Sequence, residues 1–210
     1  MIAQRILPGL LLAAALLVAP SGARSQAVEQ GAATFIESLA SRAIDSLADP
    51  AISRPERIDR FRKLFNDHFA VRAIGQWVLG RYWPAATPEQ QQEYLALFED
   101  LIVVSYVDRF AQYAGAALKV VRSTATDPTN AIVQTEIVRP TGGPPVRVDW
   151  RVGSKDSIYK IVDVVVEGTS MSTTMRSDFS SIIRQSGGEV TGLLMELRKK
   201  TAGLKSAAAN

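Results

Sequence analysis

The chain contains no cysteine and a single histidine, His68. The missing cysteines exclude disulfides, thiolate metal sites and attachment through a lipidated cysteine. One histidine with no cysteine excludes a closed zinc site as well, because no carboxylate cluster is spaced to replace the absent ligands. No glycine loop of the phosphate-cradling kind occurs, and there is no Gly-x-Ser-x-Gly elbow. Gly168-Thr169-Ser170-Met171-Ser172 reads instead as a strand-to-helix turn whose hydroxyls suit capping. Glu99, Asp100, Asp108 and Arg109 read as the solvated edge of a helix rather than an acid/base pair, and His68 as a packing residue. Nothing in this pattern argues for catalysis, and no cofactor or metal is expected.

Long apolar runs are scarce too, except at the N-terminus. Residues 1–5 carry one positive charge, 6–18 form an apolar run of signal length, and Ser21-Gly22-Ala23 offers small residues for cleavage, with Ser25-Gln26-Ala27 as a second site. The run falls short of the ~18 apolar residues of a transmembrane helix, and no other segment approaches that length. We therefore expect a cleavable signal peptide over 1–27, cut after Ala23 or Ala27, then one domain over 28–201 and a flexible tail over 202–210. Export to a bacterial periplasm without disulfides places the domain's stability on its core alone. An excess of one charge is also lacking. Loss of 1–27 removes Arg5 and Arg24 and leaves 22 basic residues against 21 acidic ones, so nucleic-acid binding has no electrostatic footprint.

What is present is helices, then strands, then helices. Residues 28–48 carry Phe35, Ile36, Leu39, Ala40, Ala43, Ile44 and Leu47 on one helical stripe. Ser53, Pro55 and Glu56 open a short helix through Phe61 and Phe65, and 71–79 continues helically to Gly80. Thr87, Pro88 and Gln90 then start a helix of about 26 residues, reaching Phe110 and Tyr113, with apolar residues on more than one face. A helix this apolar must be buried by its own domain or must cover something apolar. Four β-rich runs follow at 118–124, 132–138, 146–152 and 158–166, broken at 126–130, 142–145 and 153–157. Val148, Trp150 and Val152 alternate with Arg147, Asp149 and Arg151, the mark of a sheet covered on one side. The last run reads as central because it is apolar almost throughout. Two closing helices at 171–186 and 189–200 flank Gly187-Gly188. The class expected is α+β: a four-stranded antiparallel sheet with helices packed over one face.

The sequence is similar, block by block, to the MlaC family of periplasmic phospholipid carriers, also called toluene-tolerance auxiliary proteins. The resemblance rests on Phe61-Arg62-Lys63-Leu64-Phe65 with Phe69, Ile74-Gly75-Gln76-Trp77-Val78-Leu79-Gly80-Arg81-Tyr82-Trp83, and Ala86-Thr87-Pro88-Glu89-Gln90. It continues through Phe98-Glu99-Asp100-Leu101, Tyr159 to Gly168, and Phe179 to Gly188, and so covers the whole mature chain. Ser157 stands where the family commonly has a turn glycine, and Thr169 where it commonly has valine.

The resemblance implies a non-enzymatic monomeric shuttle. It would bind phospholipid and move it between an inner-membrane ABC-type transport complex and an outer-membrane lipoprotein complex, maintaining outer-membrane lipid asymmetry. On that reading the acyl chains lie in an apolar pocket between the dry face of the sheet and the helices. The wall expected comprises Trp77, Val78, Leu97, Leu101, Val104, Val148, Trp150, Ile161, Val164 and Phe179, with Tyr82 and Tyr106 near the entrance and Arg81 and Arg147 for partner or headgroup contact. A hopanoid or other lipid as cargo is one alternative. A small-molecule enzyme built on a pocket-bearing fold, with Asp163 and Tyr159 as its nearest candidate groups, is the other.

Overall fold

Six α-helices and one antiparallel sheet account for residues 21–49, 51–108, 115–140 and 142–207, which are the residues this computed structural model describes. The apolar run 6–18, the residues Arg109, Phe110 and Tyr113 that the sequence pattern assigns to the long helix, and the end of the tail at 208–210 lie outside them. No helix among the described residues is long and apolar enough to cross a membrane.

The order is α1 (Ser21–Leu47), α2 (Arg54–His68), α3 (Val71–Leu79), a single 3-10 turn (Gly80–Tyr82) and α4 (Pro88–Tyr106). The strands follow as β1 (Ala117–Asp127), β2 (Asn130–Val138), β3 (Val146–Lys155), β4 (Ile158–Val166) and β5 (Thr169–Ser170), and then come α5 (Met171–Gln185) and α6 (Val190–Ala207). Helix α4 starts where its capping signal lies. The Thr87 hydroxyl accepts from the Gln90 amide, the Gln90 side chain accepts from the Thr87 amide, and Pro88 fills the first turn. Thr87→Ala is expected to cost about 1 kcal/mol, read as a lower thermal midpoint with unchanged helix content at low temperature. Helix α6 runs past Thr201 to Ala207, with Thr201 buried and Lys205 bonded to Asp100.

The sheet has five strands rather than four, in the order β1-β2-β3-β4-β5, each antiparallel to the next. The two-residue β5 is too short to show a period of two, so only its pairing with Val165 and Val166 reveals it. It also corrects the position of β4. That strand pairs with β3 along its length but with β5 only at its end, so it is nearly an edge strand. Its apolar character comes from helix cover. Phe69, between α2 and α3, bridges Ile161, the Ala70 amide donates to the Ile161 carbonyl, and Lys160 donates to the carbonyls of Asn66 and Asp67.

Turns are tighter than the breaks in the sequence suggested. β3 and β4 join through Asp156 and Ser157 alone, both at positive φ (51° and 62°), as a two-residue hairpin of right-handed twist demands. Ser157 therefore adopts the left-handed conformation that glycine takes most easily, which is the physical reason a glycine suits this turn position and a serine there is under strain.

Three core clusters pack among the described residues, one of them formed by Leu47, Phe61, Phe65, Val103 and Val107 where α1, α2 and α4 meet. The first half of α1 (Val28, Ala32, Ile36, Leu39) fills the space over Ala131, Val133, Val152 and Ile161. Helices α3 to α6 form their own core around Tyr94, Phe98, Leu101, Phe179, Ile183, Leu193 and Leu197. The Tyr94 hydroxyl, whose pKa burial pushes up, donates to the Gly75 carbonyl inside this layer. Arg62 ties α2 to α4 through Glu99 and Asp100, each at 2.7 Å, and Lys205 adds α6 through Asp100. Burial alone would raise the Asp100 carboxyl; the hydrogen bonds from Lys205 and Arg62 outweigh it and hold its pKa below the ordinary value. A lowered folded-state pKa gives stability that is complete above the unfolded value of about 4 and is lost as pH falls through the folded one. Asp100→Asn should therefore flatten the fall of the thermal midpoint below about pH 4 relative to wild type.

Candidate functional site

The second half of α1 leaves the sheet. Beyond Leu39 the helix no longer presses on the strands, and α2, α4 and the start of α5 do not close the gap. The result is a cavity of about 360 Å³, within the range of ligand pockets. Its walls can be assigned element by element. Helix α1 contributes Ile36, Leu39, Ala40, Ala43, Ile44 and Leu47, and α2 contributes Phe61, Leu64 and Phe65. Helix α4 adds Phe98, Ile102 and Tyr106, one turn apart each, and α5 adds Met171, Ser172 and Met175. The sheet supplies Leu118, Ile137, Val146, Val148, Trp150, Val164 and Val166. Register explains that last set: Leu118 opposes Ile137, Ile137 opposes Val146, Val148 opposes Val166 and Trp150 opposes Val164, so all share one face.

A bulge completes the wall. Arg151 pairs with Asp163 and Val152 with Ile161, so Val162 is an extra residue in β4 and points to solvent. The insertion shifts the alternation, and Ile161 and Val164, three apart, both turn inward.

Polar groups in this wall bond to one another. The Trp150 indole donates to the Thr135 hydroxyl at 3.0 Å, and that hydroxyl donates to the Val148 carbonyl at 2.8 Å. Asp163 is buried and accepts from the Ser170 and Ser172 hydroxyls, both at 2.7 Å, and from the Ser172 and Val164 amides at 3.1 and 2.9 Å. Arg151 reaches it at 3.3 Å. Ser170 is also the N-cap of α5, so the carboxylate pins that helix's start to β4. No buried side-chain polar atom among the described residues lacks a partner. His68 contacts the Leu64 carbonyl through Nδ1 and stacks on Phe35. No cluster among the described residues could hold a metal. A second depression, between α1 and Tyr159, is wide open to solvent.

Of the residues that the sequence suggested for the pocket, Tyr106, Val148, Trp150 and Val164 line the cavity. Val78, Leu101 and Phe179 lie in the helical core, with Leu97 and Tyr82 packed against it. Ile161 sits in the core between α1 and the sheet, and Val104 is buried within α4 outside the cavity. Trp77 is on the surface. Arg81 donates to the Tyr82 hydroxyl, and Arg147 pairs with Glu167 at 3.2 Å on the exposed end of the sheet. The wall residues from α1 and α2 were visible only as a helical stripe and an aromatic spacing, signals that a filled core gives equally.

Empty, such a space is expensive. Side chains lining an unfilled space lose the dispersion contacts that packing would give them, so an unoccupied wall of this composition is destabilising. Water does not relieve that cost where the wall offers almost no hydrogen-bond partners. The geometry is that of a binding cavity for an apolar body.

Comparison with known proteins agrees. The profile of the MlaC protein family matches residues 37–199. The chain belongs to the MlaC family. A curated MlaC relative, the intermembrane phospholipid transport system binding protein of Haemophilus influenzae, is 25% identical over 116 residues, which cover 54% of this chain and 54% of that protein. The match thus spans about half the length of that relative. Among solved structures, a phospholipid-binding protein from Ralstonia solanacearum, determined in complex with a phospholipid, superposes with a TM-score of 0.73 at 23% identity. The superposition covers 83% of this chain and 98% of that one, and the α+β MlaC architecture is shared.

Proposed function

We propose that this MlaC protein is a soluble periplasmic carrier that holds phospholipid acyl chains in the cavity between α1, α2, α4, α5 and the sheet. It shuttles lipid between an inner-membrane ABC-type complex and an outer-membrane lipoprotein complex and so maintains outer-membrane lipid asymmetry. The observation that carries this reading is the wall itself, a cavity of about 360 Å³ whose few polar groups are already bonded within the protein. Family membership supports it, as do the name of the Haemophilus relative and the phospholipid bound by the Ralstonia protein.

The energetics explain why a carrier is needed. At ~0.8 kcal/mol per buried methylene, a chain of about 16 carbons resists exposure to water by on the order of 13 kcal/mol. A lipid chain in the cavity supplies the contacts that the empty wall lacks, so the loaded protein is the more stable one. The headgroup remains in solvent and needs no charged site. Export fits the same picture, because burial in α1 begins at Val28 and cleavage after Ala23 or Ala27 leaves every described core residue in place.

Mass spectrometry of organic extract from the natively purified mature protein tests the proposal. Near-stoichiometric phospholipid is the expected result. Hopanoid in its place would keep the carrier and change the cargo, and an empty extract from folded protein would overturn the reading.

A further inference from the structure

One corner of the helical layer, built from α3, the Gly80–Tyr82 turn and α5, concentrates aromatic rings and arginines on the surface. Trp77 is 46% exposed. The Arg176 guanidinium lies 4.7 Å from the Trp77 ring centroid and donates to the Trp77 carbonyl at 3.1 Å. Arg81 lies 5.0 Å from the Tyr82 ring and donates to its hydroxyl at 2.9 Å, and Arg72 covers Trp83 at 5.8 Å. Among the described residues none of these three arginines pairs with a carboxylate; Arg42, Arg57, Arg122, Arg139 and Arg184 share that feature, but the three at this corner are the ones laid over aromatic rings. Arg176 reaches its place over Gly80, where φ is 57° and an added Cβ would stand 3.0 Å from the guanidinium carbon.

This chemistry is that of an interface. A guanidinium stacked on a ring keeps its outward donors for a planar carboxylate, and the stacking fixes both side chains before a partner arrives. Tryptophan, tyrosine and arginine are also the residues that dominate the energetics of protein interfaces. Three positive charges that no carboxylate of the described residues neutralises select an acidic surface. A bilayer fits less well. Trp77 is the one large apolar side chain strongly exposed at this corner, the others (Val121, Ile158, Val162 and Met195) lying on the sheet and α6, so the corner offers a bilayer a single side chain rather than an apolar face.

We propose that the Trp77–Arg81–Arg176 corner is the docking surface for an acidic protein face on the membrane complexes that load and unload this carrier; the inference rests on the carrier reading. The corner shares its helices with the cavity. Ile74, one turn before Trp77 on α3, and Met175, next to Arg176 on α5, are both in the cavity wall. A partner seated on the corner therefore holds the two helices that bound the lipid.

The test measures binding of the full mature protein to the purified inner-membrane complex and, separately, to the purified outer-membrane complex of the same organism. The variants are Trp77→Ala and Arg81→Glu, with Arg122→Glu on the outer face of the sheet as the charge control. We expect affinity for at least one complex to fall about tenfold or more in both corner variants, and the wild-type affinity to weaken with salt. Arg122→Glu should bind as wild type, and all variants should retain wild-type thermal midpoints and co-purified lipid. Unchanged affinity for both complexes would overturn the inference. So would loss of binding to phosphatidylethanolamine–phosphatidylglycerol vesicles with both complexes still bound, which would assign the corner to the membrane. Absence of lipid from the wild type is a separate result that counts against the carrier reading and not against the corner.

Discussion

Ala43→Trp will cut lipid retention at least tenfold while leaving a folded protein that, when lipid-free, is no less stable than wild type. Ala43 lies on the part of α1 that has left the sheet, and it faces the cavity beside Leu47, Phe61 and Tyr106. An indole there occupies space that acyl chains need. In a packed core the same change would cost about 1–3 kcal/mol through overpacking. Here the side chain enters a void and recovers part of the cavity cost, so the sign reverses. The expected outcome is at least a tenfold loss of co-purified lipid, with the thermal midpoint of delipidated protein equal to or above that of delipidated wild type. Retained lipid in Ala43→Trp would place the ligand elsewhere. Leu101→Glu is not an equivalent probe, because Leu101 belongs to the core of the helical layer and a carboxylate there attacks folding itself.

Asp163→Ala will be the most destabilising single substitution in the cavity wall. The carboxylate accepts from two hydroxyls and two amides and faces Arg151, all within 3.3 Å. Removing it leaves those buried donors without an acceptor and frees the first turn of α5 from β4. A loss of about 3 kcal/mol or more is expected, or on the order of 10 °C in thermal midpoint for a domain of this size. Asp163→Asn preserves shape and one carbonyl acceptor and should lose clearly less. Because Met171, Ser172 and Met175 follow directly, lipid retention should fall with the alanine variant even at temperatures where it remains folded. A urea midpoint within error of wild type would show that the network contributes nothing.

Most of the architecture was legible from local chemistry. Thr87, Pro88 and Gln90 specify the start of α4, and the stripe from Ile36 to Leu47 specifies a helix with one apolar face. The alternation of Val148, Trp150 and Val152 specifies which face of β3 is dry. These signals are local because they depend on backbone hydrogen bonds and on the 3.6- and 2-residue periods. β5 and the Val162 bulge were not legible, since each exists only through its pairing with a neighbouring strand. The place of β4 was misread for a related reason: an apolar strand signals burial, and cover by α2 and α3 at a sheet edge gives the same signal as a neighbour on either side.

The candidate site divides along the same line. That α4 is apolar on two sides is written in its sequence, but which side meets other atoms and which meets a void is not. Tyr94 and Leu101 turn into the helical core, Ile102 and Tyr106 border the cavity, and Phe98 belongs to both. The stripe on α1 is likewise continuous in sequence and divided in space, its first half pressed on the sheet and its second half standing off it. Periodicity records how strongly each side chain avoids water. Whether the avoided water is replaced by packed side chains or by space for a ligand depends on where whole elements diverge, and only the tertiary structure sets that.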